Sequence, residues 1–230
     1  MTIEKILLAN ADNYVEWNRK LFEHLDTQEK IAEIDNDEHE RVFFQTNELL
    51  SGIARNFFLH GKFKDDWDTS KCSMVLYGQY LLLKSKKMDV TFHWGVDRHN
   101  FFLDAYIIHP ENLRFMNDDF WAMVLELKTL ALFEFSGMGS LTAQEKPYFE
   151  NKTSTIFQMI RSFMLFQVEK MNGSDYQHPP LMEIGQFLLK WDVYSDWDTL
   201  LEKMCRAFKL VYLINYQLWK ISDLASKKPA

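Results

Sequence analysis

The stretch Met88-Asp89-Val90-Thr91-Phe92-His93-Trp94, followed by Asp97-Arg98-His99-Asn100 and the apolar run Phe101 to Ile108, decides the fold class. Val90, Phe92 and Trp94 alternate with Asp89, Thr91 and His93, the period of a strand with one face in a core. Asp97 to Asn100 supplies a polar turn, and the extended run after it completes a hairpin. A lone hairpin is marginal in water. Ser73 to Leu83, rich in Val, Leu and Tyr, is therefore taken as a further strand, and an antiparallel meander is expected over 73–108. Lys64 to Lys71 before it is polar and turn-like.

Both flanks read as helix. From Thr2 to Leu25 the residues Ile3, Ile6, Leu7, Ala11, Tyr14, Val15, Trp17, Leu21 and Phe22 recur at helical spacing, with Thr2 as the cap. The acidic run Asp35 to Glu40 suits the positive end of a second helix, Asp37 to Leu59, with Gly61 as the residue that turns the chain out of it. Pro110 ends the sheet region. Asn117, Asp118 or Asp119 caps a helix through Phe135, and Ser136-Gly137-Met138-Gly139-Ser140 breaks it. Asn151 to Lys170 is a further helix, His178-Pro179-Pro180 a stop, Leu181 to Trp191 a short helix, and Asp196 or Asp198 opens a long C-terminal helix to about Leu224. The expectation is one α+β domain over 1–230, mainly α-helical. It is a helical bundle (N-terminal helices 2–60, C-terminal helical part 117–224) with a small antiparallel β-meander in the middle of the chain.

Composition narrows the function classes. Aromatic residues make up 15% of the 230 residues, enough for a large core with rings left over for a surface. The net charge of −7 opposes nucleic acid and acidic membranes on average, so a nucleic-acid ligand requires a local basic patch. Cys72 and Cys205 are too few and too far apart for a disulfide framework or a zinc motif. Met1 to Leu8 is too short for a secretory signal, and no window approaches 18 uncharged apolar residues; no membrane partner and a cytoplasmic location are expected.

Arg55-Asn56-Phe57-Phe58-Leu59-His60 carries the one chemical constellation, a fixed cation, an amide and a titratable imidazole in six residues. The spacing Arg55-Asn56-x-x-x-His60 resembles the Arg-Asn-x-x-x-His signature of HEPN domains. Those are helical-bundle proteins, many of them RNases of prokaryotic defence and toxin–antitoxin systems. The resemblance covers about a tenth of the chain. It implies metal-independent RNA cleavage with no cofactor, or an inactive relative of such an enzyme. In that picture His60 handles protons near neutral pH, Arg55 stabilises charge on the phosphate, and Asn56 orients the Arg55 side chain. Lys62 and Lys64 lie close enough to bind the substrate backbone. Five residues at 100° each put Arg55 and His60 about 140° apart on an unbroken helix. Either the helix distorts before His60, as Gly61 permits, or two copies assemble the site. The strands that follow the motif depart from an all-helical HEPN bundle.

Other groupings carry less. His93, Asp97, His99, Asp104 and His109 contain metal-ligand residue types but read as a polar hairpin face, so no metal is expected. Asp35-Asn36-Asp37-Glu38 and Asp65-Asp66-Trp67-Asp68 lack the glycine and terminal glutamate of a calcium loop. Trp191, Tyr194, Trp197, Tyr212, Tyr216 and Trp219, beside Asp192, Asp196, Asp198 and Glu202, suit recognition of a protein partner or a second copy through the C-terminal helices. The alternative function is therefore a non-enzymatic acidic binding protein, such as an immunity protein or a helical subunit of a larger complex.

Overall fold

The structure is a computed structural model that describes residues 1–30, 35–75, 78–137, 156–157, 159–160, 162–164, 167 and 185–227. The fold is α+β. Its helices are α1 (Ile3–Asn10), α2 (Tyr14–Glu29), α3 (Asn36–Gly61), α4 (Asp118–Leu130) and α5 (Trp197–Ser226). The strands are β1 (Trp67–Asp68), β2 (Cys72–Val75), β3 (Gly78–Ser85), β4 (Val90–Val96), β5 (Asn100–Tyr106), β6 (Leu132–Gly137) and β7 (Gly185–Asp192). They form one seven-stranded sheet in the order β1-β3-β4-β5-β7-β6, with β2 also paired to β3. The sheet thus exceeds the expected meander. The chain divides into two compact units, Met1–Leu103 with Lys190–Lys209, and Asp104–Leu189 with Leu210–Ala230.

In the first unit the period-2 pattern of β4 is realised. Leu81 and Leu83 of β3 pair with Trp94 and Phe92 of β4, and all four are buried. That face lies beneath α3 and the first half of α5. The Trp94 Nε1–H donates to the Leu50 carbonyl at 3.1 Å, and Phe57 meets the Trp94 ring edge-on at 5.0 Å. Phe208 of α5 touches the rings of Phe57, Phe58, Phe63, Trp67 and Phe92. The Asp97 carboxylate closes the β4–β5 turn by accepting from the backbone N–H groups of His99 and Asn100.

Helix ends correct two expectations in this unit. The single helix from Thr2 to Leu25 is two helices joined by a 3₁₀ turn at Ala11–Asn13, and Thr2 makes no side-chain cap. The break follows Asn10, whose buried amide donates to the Ile6 carbonyl at 2.8 Å and to Asn56 at 3.0 Å. At the end of α3 the left-handed residue is Lys62 (φ 51°), not Gly61. Gly61 answers a different need: a Cβ there would stand 2.0 Å from the Phe63 ring. At the start of α3 the acidic run behaves as expected, with Asp35 accepting from the Glu38 N–H at 2.8 Å.

In the second unit α4 is capped by Asn117, whose side chain accepts from the Phe120 N–H at 3.2 Å. The helix stops at Leu130 and does not reach Phe135. Phe133 and Phe135 are buried and Glu134 is exposed, so the chain leaves the helix directly into β6. The expected short helix Leu181 to Trp191 is likewise overturned from Gly185 onward. Phe187, Leu189 and Trp191 alternate with Gln186, Leu188 and Lys190 in β7, and Phe187 packs edge-on against Phe133 at 5.2 Å. Residues described between 156 and 167 are helical. The break at Met138–Ser140, the ends of the helix expected over 151–170 and the stop at His178-Pro179-Pro180 lie outside the described residues. Asp196 accepts from the Thr199 N–H at 3.2 Å at the start of α5, as a cap should.

Two stability predictions arise here. Truncating Phe208 to Ala removes one ring from all five of those contacts and lowers unfolding free energy by about 3–5 kcal/mol in urea titration. A loss under about 1 kcal/mol would contradict its central place. The second concerns pH. His24 is 1% exposed, its Nδ1 faces Thr46 Oγ1 at 3.2 Å, and burial, partly opposed by Asp97, pushes its pKa down to about 4. The unfolded imidazole titrates near 6.5. The stabilisation from a neutral His24 is therefore complete above about pH 6.5 and is lost as pH falls toward about 4. The total is about 3 kcal/mol. A His24→Gln variant should show a shallower loss of stability across that window in denaturation curves taken at stepped pH.

Candidate functional site

The hexapeptide Arg55 to His60 lies on α3, which stays helical through Gly61. The distortion that would turn His60 toward Arg55 is absent, so the two side chains leave the helix about 140° apart. Arg55 is exposed. Asn56 is 4% exposed and committed to the core: its amide donates to the Gly52 carbonyl at 3.0 Å and exchanges hydrogen bonds with Asn10 at 3.0 and 3.4 Å. One chain therefore does not bring Arg55, Asn56 and His60 together, and Asn56 does not reach out to orient Arg55.

His60 has gathered other neighbours. It is half-buried, and its Nδ1 is buried with no hydrogen-bond partner. Partial burial first, then the charges of Lys209 and Arg206, hold its pKa below the ordinary imidazole value. The imidazole is thus neutral at pH 7, able to accept a proton or a hydrogen bond. Beside it the Met1 amine donates to the Leu59 carbonyl, and desolvation and then Lys62, Lys209 and Lys5 lower the pKa of that amine. The arrangement collects Lys62 from the end of α3, Arg206 and Lys209 from one turn of α5, and Lys5 from α1. Arg206 also pairs with Glu202 at 3.3 Å. Cations whose charges act together on the Met1 amine and the His60 imidazole form a field suited to an anion.

Lys62 was legible in the sequence; Lys5, Arg206 and Lys209 were not. Arg206 and Lys209 are three residues apart, which signals one helix face, but their approach to His60 is a tertiary fact. Lys64 is exposed, and its carbonyl accepts from Lys87 Nζ at 3.3 Å, extending the basic strip toward β3.

The other candidates resolve into structural roles. His93 sets its ring against Tyr80 at 5.3 Å, His109 pairs with Glu111 at 3.4 Å, and Asp97 serves its own turn. Among the described residues no three His, Cys, Asp or Glu side chains gather as a metal site. Burial raises the thiol pKa of Cys205 strongly and that of Cys72 as well. Trp191, Trp197 and Tyr212 are core, Tyr216 and Trp219 are half-buried, and Tyr194 is 69% exposed. No helix among the described residues is long and apolar enough to cross a membrane. Compared with known proteins, the chain matches no family model, no curated protein sequence and no solved structure.

Substitutions separate the two halves of the motif. Asn56→Ala leaves the buried Asn10 short of a partner and should lower stability by about 1–3 kcal/mol, whereas Arg55→Ala should stay within about 0.5 kcal/mol of wild type. Thermal melts of both read this directly. Equal stability of the two variants would contradict the structural role of Asn56.

Proposed function

We propose that this protein binds single-stranded RNA through the basic cluster around His60, as a HEPN-like relative that does not cleave RNA as a single chain. The carrying observation is that the charges of Lys209 and Arg206 act on a half-buried imidazole, with Lys62, Lys209 and Lys5 acting on the Met1 amine beside it, in a chain whose net charge is −7. Such a patch draws in a phosphate that the rest of the surface repels. The imidazole supplies an acceptor beside it, which fits a ribose hydroxyl. On this reading the separation of Arg55 from His60 on α3, with Asn56 tied to Asn10, leaves one copy without an assembled cleavage site.

A second reading, a non-enzymatic protein-binding role, has its own observation. Val15 and Phe22 lie seven residues apart on one face of α2 and are 78% and 55% exposed, and Leu8 of α1 is 82% exposed. Exposed apolar side chains at that spacing suit a helical partner.

Fluorescence anisotropy with labelled oligouridine in EDTA decides between them. Wild type should bind without cutting. Lys62→Glu with Lys209→Glu should weaken binding at least tenfold, with a salt slope shallower by about 0.7 for each phosphate contact removed. Wild type that ignores RNA, or a charge-reversed variant that binds it undiminished, contradicts the proposal. Metal-free cleavage lost in both Arg55→Ala and His60→Ala would show that the site is catalytic.

A further inference from the structure

The face of the β3–β4–β5 region opposite α3 has its own chemistry. In β3, Tyr80, Leu82 and Lys84 pair with Gly95, His93 and Thr91 of β4, and these side chains stand on the side away from Phe92 and Trp94. Tyr80, Leu82, Thr91 and His93 are half-buried and Lys84 is exposed, whereas Gly95 is buried. Three rings, those of Tyr80, His93 and Phe102, lie on this side. Tyr80 and His93 lie 5.3 Å apart, centroid to centroid. A Cβ at Gly95 would stand 2.5 Å from Phe102 Cζ and 2.7 Å from Tyr80 Cβ, so the missing side chain is what lets the Phe102 ring lie across the strand beside Tyr80. Phe102 is half-buried, although it lies between the fully buried Phe101 and Leu103.

Next to the rings, Asp68, Lys71, Leu82, Lys84 and Thr91 line a cavity of about 170 Å³. The Asp68 carboxylate is held below the usual carboxylate range, chiefly by hydrogen bonds from Ser70, with Lys71 and Lys86 adding to the effect. Lys84 pairs with Asp89 at 2.7 Å. Between residues 62 and 91 the chain carries six lysines and four aspartates, a local excess of positive charge in an acidic protein. Lys62 and Lys64 follow α3, Lys87 bonds the Lys64 carbonyl, and Lys71 and Lys84 line the cavity of this face.

We infer that this sheet face is a base-stacking platform for single-stranded RNA, with Tyr80 and Phe102 taking bases and Lys71 and Lys84 taking the adjoining phosphate. The inference rests on the RNA-binding reading above and adds to it the part of the ligand that the His60 cluster does not address. Every base has a π face, so ring stacking holds a strand without reading its sequence, and lysines beside the rings follow the backbone. The lysine strip supplies the charge complementarity that selects a polyanion over an acidic or neutral protein for this face.

Two ligands and four variants test it. Anisotropy is measured for labelled oligouridine and for an abasic ribose-phosphate oligomer of equal length, with wild type, Tyr80→Leu, Tyr80→Phe, Phe102→Leu and Lys62→Glu. Each Leu variant should lose about tenfold or more in affinity for oligouridine and bind the abasic oligomer as wild type does. Tyr80→Phe keeps the ring and should bind like wild type, while Lys62→Glu should weaken both ligands. Leu variants that hold oligouridine at full strength, with Lys62→Glu still weakened, overturn the platform and leave the His60 reading standing. Equal losses on both ligands overturn it as a folding effect. So does a dimer abolished by the Leu variants while RNA affinity is kept. No binding of either RNA by wild type overturns both readings.

Discussion

Phe208 is the point on which the first unit depends. A phenyl ring on α5 meets two rings from the end of α3, two from the segment after it and one from β4. Rings of this size bury large areas, and their edge-to-face and offset contacts fix orientation as well as distance. The consequence reaches the surface. With Phe57 and Phe58 anchored on Phe208, the last turn of α3 is held against α5, and His60 is carried to within range of Arg206 and Lys209. Phe63 needs its place on the same ring, and Gly61 is the residue that leaves room for it. The basic cluster is thus a by-product of how an aromatic core closes, since the cations themselves repel one another.

Two buried polar pairs tie the N-terminal helices into that frame. Asn10 and Asn56 exchange hydrogen bonds between α1 and α3, and His24 faces Thr46 between α2 and α3. Each sits where an apolar pair would serve packing equally well, so each specifies one register between helices. Asn56 takes its role from the helix packing around it. Its position beside Arg55 matches a nuclease signature, yet its amide is consumed by the core. The part of the motif that keeps chemical freedom is His60, and the groups around it come from elsewhere in the chain.

The sequence disclosed some elements well and others poorly, for physical reasons. The β4–β5 hairpin was plain because Val90, Phe92 and Trp94 alternate with polar residues and Asp97 supplies the turn. The span of α3 was plain because acidic residues precede it and its apolar positions repeat. β6 and β7 were hidden. Phe133 and Phe135 follow α4 without a breaking residue, and in β7 the residue facing away from Leu189 is itself a leucine, Leu188, which blurs the alternation. The 3₁₀ turn after Asn10 carries no glycine or proline and follows from a side chain finding a partner 46 positions away. In the site, Lys62 and Lys64 adjoin the motif and were visible. Arg206, Lys209 and the ring group at Gly95 depend on which faces the tertiary fold brings together, and local spacing does not encode that.

The account joins two surfaces of one unit, a cationic end of α3 and an aromatic sheet face, by the lysines between them. Ultraviolet crosslinking of a 4-thiouridine-substituted RNA strand, with the attached peptides identified by mass spectrometry, tests this most directly because it reports position without altering the protein. The account predicts adducts on peptides that contain His60 to Lys64 and on those that contain Tyr80 or Phe102. Adducts confined to α1 and α2, or to α4, would contradict it.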